Sequence, residues 1–138
     1  MIYMAFDYGW SSWGCAVGDD LTGASQAVRA LASKCGIPNW DEVDQLLSTW
    51  RVEALVIGYP LKVDGSRFKL TDQVDHVILA LEQRYSHLPI HRADERLSTI
   101  SARENLYAAK GKRGLEKGAV DAESARIILE QWLESNLL

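Results

Sequence analysis

Asp7, Glu95 and Asp121 are the residues whose types and positions could do chemistry together. Asp7 closes an apolar run that begins at Ile2, and a charge at the end of a buried strand is costly unless something offsets its desolvation. Gly9, close behind it, lets the backbone turn tightly and lets another group approach. Taken alone, Asp7 reads equally well as a side chain capping its own turn. Glu95 follows the short apolar segment Leu88 to Ala93. Alone it reads as a solvated charge ahead of a helix, where the dipole favours a negative residue. Asp121 opens the last helical stretch, and the same bland reading applies to it. The combination is what matters, because all three fall where an open α/β sheet exposes its functional edge. Clustered carboxylates repel one another unless cations lie between them. Mg²⁺ prefers oxygen ligands and keeps waters for substrate phosphates. Two such ions ~4 Å apart would activate water and stabilise a leaving oxygen in phosphodiester cleavage.

Other chemistries find little support. His76 reads as mid-helical and His87 as part of a turn, both exposed, while His91 on a short strand reads as structural. There is no P-loop and no G-x-S-x-G elbow. Cys15 and Cys35 lack metal-ligand spacing, which suggests a reduced, cytoplasmic protein. No apolar run approaches the roughly 20 residues needed to cross a bilayer, and no signal peptide is apparent, so no membrane partner is expected. The 138 residues fit one domain, 1–138. The net charge of -4 argues against a non-specific nucleic-acid binder. Between Asp94 and Lys117, however, six basic residues stand against four acidic ones, a local excess of +2 that could hold a phosphate backbone.

The elements that must position the acids alternate along the chain. Ile2–Asp7 and Trp13–Val17 read as strands joined by a Gly/Ser turn into a hairpin, with a weaker third strand over Gly23–Arg29. Trp40–Trp50 carries a helical stripe entered through Asn39 or Asp41. Ala54–Ile57 is a short apolar strand. Thr71 could cap a helix bearing Val74, Val77, Ile78, Leu81 and Tyr85, and Leu88–Ala93 is another strand. A helix from Ser98 to about Lys110 and a basic, glycine-rich loop, Gly111–Gly118, lead to a closing helix with Ala122, Ala125, Ile128, Leu129, Trp132 and Leu133 on one face. The expected architecture is an α/β fold: a mixed five-stranded sheet, an antiparallel hairpin followed by parallel strands, with helices on both faces.

Ala5-Phe6-Asp7-Tyr8-Gly9 and Gly14-Cys15-Ala16-Val17-Gly18 resemble the opening of the YqgF/RuvX family. The likeness continues through Ile57-Gly58-Tyr59-Pro60-Leu61 with Asp64-Gly65, then Asp94-Glu95-Arg96-Leu97-Ser98-Thr99. It ends with Lys117, Val120-Asp121, Ala122, Ser124, Ala125 and Ile128-Leu129. It spans essentially the whole chain, and the D-E-R-L-S-T run is its most specific part. The resemblance implies an RNase H-like fold, kinship with Holliday-junction resolvases and a nuclease acting on pre-16S rRNA. It further implies Asp7, Glu95 and Asp121 as catalytic metal-binding acids for Mg²⁺ or Mn²⁺, with two ions when substrate is bound. Arg96, Lys112, Arg113 and Lys117 would contact nucleic acid. Three features depart from the family's pattern. The first turn, usually basic, reads Trp10-Ser11-Ser12-Trp13, so its tryptophans either stack bases or pack beneath the hairpin. Tyr59 stands where leucine is usual. Ser124 stands where resolvase relatives carry a fourth acid. Alternatives are a branched-DNA resolvase, a nucleotide-binding protein of the actin/sugar-kinase type, and a module that keeps the fold without cutting.

Overall fold

The computed structural model describes residues 1–94 and 117–136. β1 (Ile2–Asp7) is apolar on both faces because it lies inside the sheet, hydrogen-bonded on each side. It pairs antiparallel with β2 (Ser12–Asp19), from Ile2 opposite Asp19 to Asp7 opposite Gly14. On its other side it pairs in parallel with β5 (Ala54–Tyr59), which in turn pairs in parallel with β6 (Ile90–Asp94). β3 (Ser25–Lys34) continues the antiparallel half, and β4 (Ile37–Pro38) finishes it. The sheet therefore has six strands in the order β4-β3-β2-β1-β5-β6, one more than expected, the addition being the two-residue β4.

Helices cover both faces. α1 (Trp40–Thr49) and α2 (Lys69–Arg84) bury Val43, Leu46, Val74, Ile78 and Leu81 against Met4, Phe6, Trp13, Cys15 and Leu31. α3 (Lys117–Asn136) lies on the opposite face, its Ile128, Leu129 and Leu133 packing on Tyr3, Ala5, Ala54, Val56 and Ala93. Arg84 donates to both carboxylate oxygens of Asp44, at 3.1 and 2.6 Å, joining α2 to α1. Burial pushes the Cys15 thiol up to about 12.

Boundaries differ from expectation where side chains compete with the simple pattern. Asn39 does cap α1, its side chain accepting from the Asp41 N–H at 2.9 Å. Thr71 is not the cap of its helix but its third residue, two after Lys69. Its hydroxyl accepts the Phe68 N–H at 2.9 Å and donates to the Pro60 carbonyl at 2.5 Å, so it pins the incoming loop. β3 runs on to Lys34 because β2 pairs with it as far as Ala32 and β4 pairs with Ser33 and Lys34. Lys117 and Gly118 belong to α3 rather than to a loop, which leaves Asp121 one turn inside the helix. The expected helix Ser98–Lys110 and the rest of the basic loop lie outside the described residues.

Candidate functional site

Asp7 leaves the carboxyl end of β1, half-buried, on the face covered by α3. The chain reverses immediately. A Cβ on Gly9 would stand 2.2 Å from the Ser12 carbonyl oxygen, so only glycine fits this turn. The turn is also held from outside. Ser33 Oγ donates to the Gly9 carbonyl at 3.0 Å, and the Gly36 N–H donates to the Trp10 carbonyl at 2.8 Å.

Asp121 arrives from the other end of the chain. A Cβ on Gly14 would lie 1.8 Å from the Asp121 carbonyl oxygen, so the first turn of α3 rests directly on this glycine. Gly14 is the pairing partner of Asp7, so Asp7 and Asp121 meet at one edge of the sheet. Ser12 Oγ donates to Asp121 Oδ2 at 2.5 Å across 109 positions of sequence. β6 ends at Asp94, opposite Tyr59, with its carboxyl end at the same edge as those of β1 and β5. Glu95, Arg96, Lys112 and Arg113 lie outside the described residues. Lys117 opens α3, one turn before Asp121.

Ser12 and Gly14 both contact Asp121, although in the sequence they read only as turn and strand residues. Their one signal was the run of small residues Gly14, Ala16 and Gly18 at the two-residue period of a strand. Ser124 is buried, and its hydroxyl has no partner among the described residues. Among those residues no three His, Cys, Asp or Glu side chains are gathered as a metal site. The donors at the edge, two carboxylates and a hydroxyl, are all oxygens, which suits a hard divalent cation.

The two tryptophans of the first turn divide. Trp13 is wholly buried, its Nε1 donating to the Gly36 carbonyl at 3.1 Å, with Phe6 and Trp40 rings 5.5 and 6.1 Å away. Trp10 is 57% exposed. His91 packs on Trp132, ring centroids 4.6 Å apart, and is structural, while His76 and His87 are exposed. No helix among the described residues is long and apolar enough to cross a membrane.

This fold is that of the RNase H-like resolvases. The chain is similar to the fowlpox virus resolvase solved with substrate Holliday junction DNA, at a TM-score of 0.63 and 12% identity over 100% of both chains. It is similar also to Thermus thermophilus RuvC in complex with a Holliday junction substrate, at a TM-score of 0.57 and 13% identity over 98% of this chain and 95% of that one. At such identities the likeness is one of fold. The chain belongs to the RuvX family, described as Holliday junction resolvase, which matches residues 1–135. An Edwardsiella ictaluri (strain 93-146) protein named "Putative pre-16S rRNA nuclease" is 42% identical over 132 residues, covering 96% of this chain and 94% of the relative. An Aeromonas hydrophila protein of the same name is 44% identical over 131 residues, covering 95% and 93%.

Proposed function

We propose that this chain is a divalent-metal-dependent endonuclease that processes the 5′ end of pre-16S rRNA, working as one domain over residues 1–138. Asp7, Glu95 and Asp121 are its metal-binding acids. The reading rests chiefly on the seating of α3 on Gly14, which brings Asp121 to the edge where Asp7 emerges. The curated relatives' name supports the substrate, and cytoplasm is the location that goes with it.

The tasks of Asp7 and Asp121 follow from their places. Asp7 leaves an inner strand, the most rigid support available, and so serves as the central ligand. Asp121 is oriented by the Ser12 hydroxyl, an outer contact of the kind that fixes a ligand's rotamer. Glu95 completes the acidic set from the residue after β6. Arg96, Lys112, Arg113 and Lys117 hold the phosphate backbone, which sets position rather than sequence. A bound pair of Mg²⁺ or Mn²⁺ ions supplies an activated water and neutralises charge at the leaving oxygen. Branched DNA is the second substrate reading, carried by the family's description.

Asp7→Asn keeps the side chain's size and removes the charge that attracts cations. Cleavage of a pre-16S rRNA fragment in Mg²⁺ or Mn²⁺ should be abolished while the fold persists, or even gains stability, since apo carboxylates repel. A four-way DNA junction assayed beside it identifies the substrate. Wild-type protein that cuts neither would refute the enzyme reading. An Asp7→Asn protein as fast as wild type would place the site elsewhere.

A further inference from the structure

The hairpin tip has a second side. Facing away from α3, an open groove of about 340 Å³ is walled by Tyr8, Trp10, Trp13 and Trp40, with Ile37 at its rim and His76 contributed by α2. Among the described residues no Asp, Glu, Lys or Arg lines it. Trp13 and Trp40 meet edge-to-face at 87°, and Tyr8 stands 6.1 Å from Trp13, so the floor is packed. Trp10 is different, an indole left 57% exposed over this floor, beside Ile37 at 60%. Its backbone is nevertheless fixed, because the Gly36 N–H holds its carbonyl and Ser33 holds the preceding one. A rigid exposed ring loses little conformational freedom on binding.

We propose that this groove is a stacking subsite for an unpaired base of the strand being cut, with Trp10 as its platform. The inference rests on the nuclease reading only for where that strand runs. Trp10 follows Asp7 by three residues, so their Cα atoms are at most about 11 Å apart. Stacked nucleotides advance ~3.4 Å each along a strand. Asp7 and the groove lie on opposite sides of the hairpin tip, so a strand whose phosphate is held at Asp7 would cross the sheet edge at this tip to lay a base two or three nucleotides away over the groove. The neutral aromatic lining suits a base and not a phosphate, and stacking of this kind tolerates any sequence. Lys34, exposed beside Cys35 in the turn that holds Trp10, is placed to meet a flanking phosphate.

Binding of a short, dye-labelled oligouridine to the cleavage-dead Asp7→Asn chain tests the subsite apart from the reaction. Adding Trp10→Ala should weaken binding about tenfold and leave the salt dependence unchanged, because no phosphate contact is lost. Trp10→Phe should restore most of the affinity. Abasic nucleotides in the oligomer should cost Asp7→Asn affinity but not the Trp10→Ala derivative. Equal affinity with and without the Trp10 indole overturns the proposal, including the case in which the groove serves a protein. If Trp10→Ala loses affinity while wild-type protein cuts nothing, the subsite stands and the nuclease reading falls. If wild-type protein cuts and Trp10→Ala binds and cuts equally well, only the subsite falls.

Discussion

The two faces of the sheet are built from different residues. Toward α1 and α2 the strands present Met4, Phe6, Trp13, Cys15 and Leu31, large or medium side chains that keep the helices at the usual distance and fill the space between. Toward α3 they present Ala5, Gly14, Ala16, Gly18, Ala54 and Ala93 beside Tyr3 and Val56, a low surface onto which a helix can settle. Gly18 repeats the device of Gly14, since a Cβ there would stand 2.9 Å from the Leu129 side chain. One face supplies most of the apolar burial. The other gives up volume so that backbone can touch backbone and set a carboxylate in place.

This comparison breaks first at Gly14. Gly14→Ala puts a methyl group into the Asp121 carbonyl, and only a shift of α3 can make room for it. A displacement near 1 Å should lower the cleavage rate about 100-fold. Unchanged turnover would show that close seating does not position Asp121. Next comes Ser12→Ala, which removes the donor to Asp121 and should cost about tenfold in activity or metal affinity, with Ser12→Thr recovering part of it. Ile78→Val, on the bulky face, should cost about 0.5–1.5 kcal/mol in denaturant titration and leave cleavage untouched. A loss of activity there would mean that the two faces are coupled. The smallest effect lies between α1 and α2. Hydrogen bonds from Arg84 and Tyr85 hold the Asp44 carboxyl below its usual range. Its contribution is therefore present above the ordinary carboxylate pKa near 4 and is lost as pH falls through the lowered folded value. Asp44→Asn should slightly flatten the acid limb of the melting curve measured against pH.

Much of this was legible in advance. Strong apolar runs marked β1 and β5, and the stripe Ala122, Ala125, Ile128, Leu129, Leu133 marked the buried side of α3. β3 showed poorly because it is an outer strand in which only Leu31 is fully buried, so its pattern lacks contrast. β4, at two residues, is too short to carry a period. The start of α3 was misplaced because Gly118 reads as a loop residue, although one exposed glycine in a first turn costs a helix only about 1 kcal/mol. The two tryptophans could not be told apart, since burial depends on which side of the hairpin each faces. The Gly14 seat showed only as a run of small residues, because what rests on it comes from more than a hundred positions away.

That separation has a consequence for synthesis. A chain emerging from the ribosome can form the hairpin β1–β2 at once, and α1, β5, α2 and β6 can then join in order. Asp121 comes only with α3, and a product that stops before Lys117 has every described strand and no Asp121. The Ser12–Asp121 contact also closes a loop of 109 positions, which makes it slow to form. Completion of this sheet edge therefore waits for α3, and a chain without α3 holds Asp7 in its strand but has no Asp121 beside Gly14.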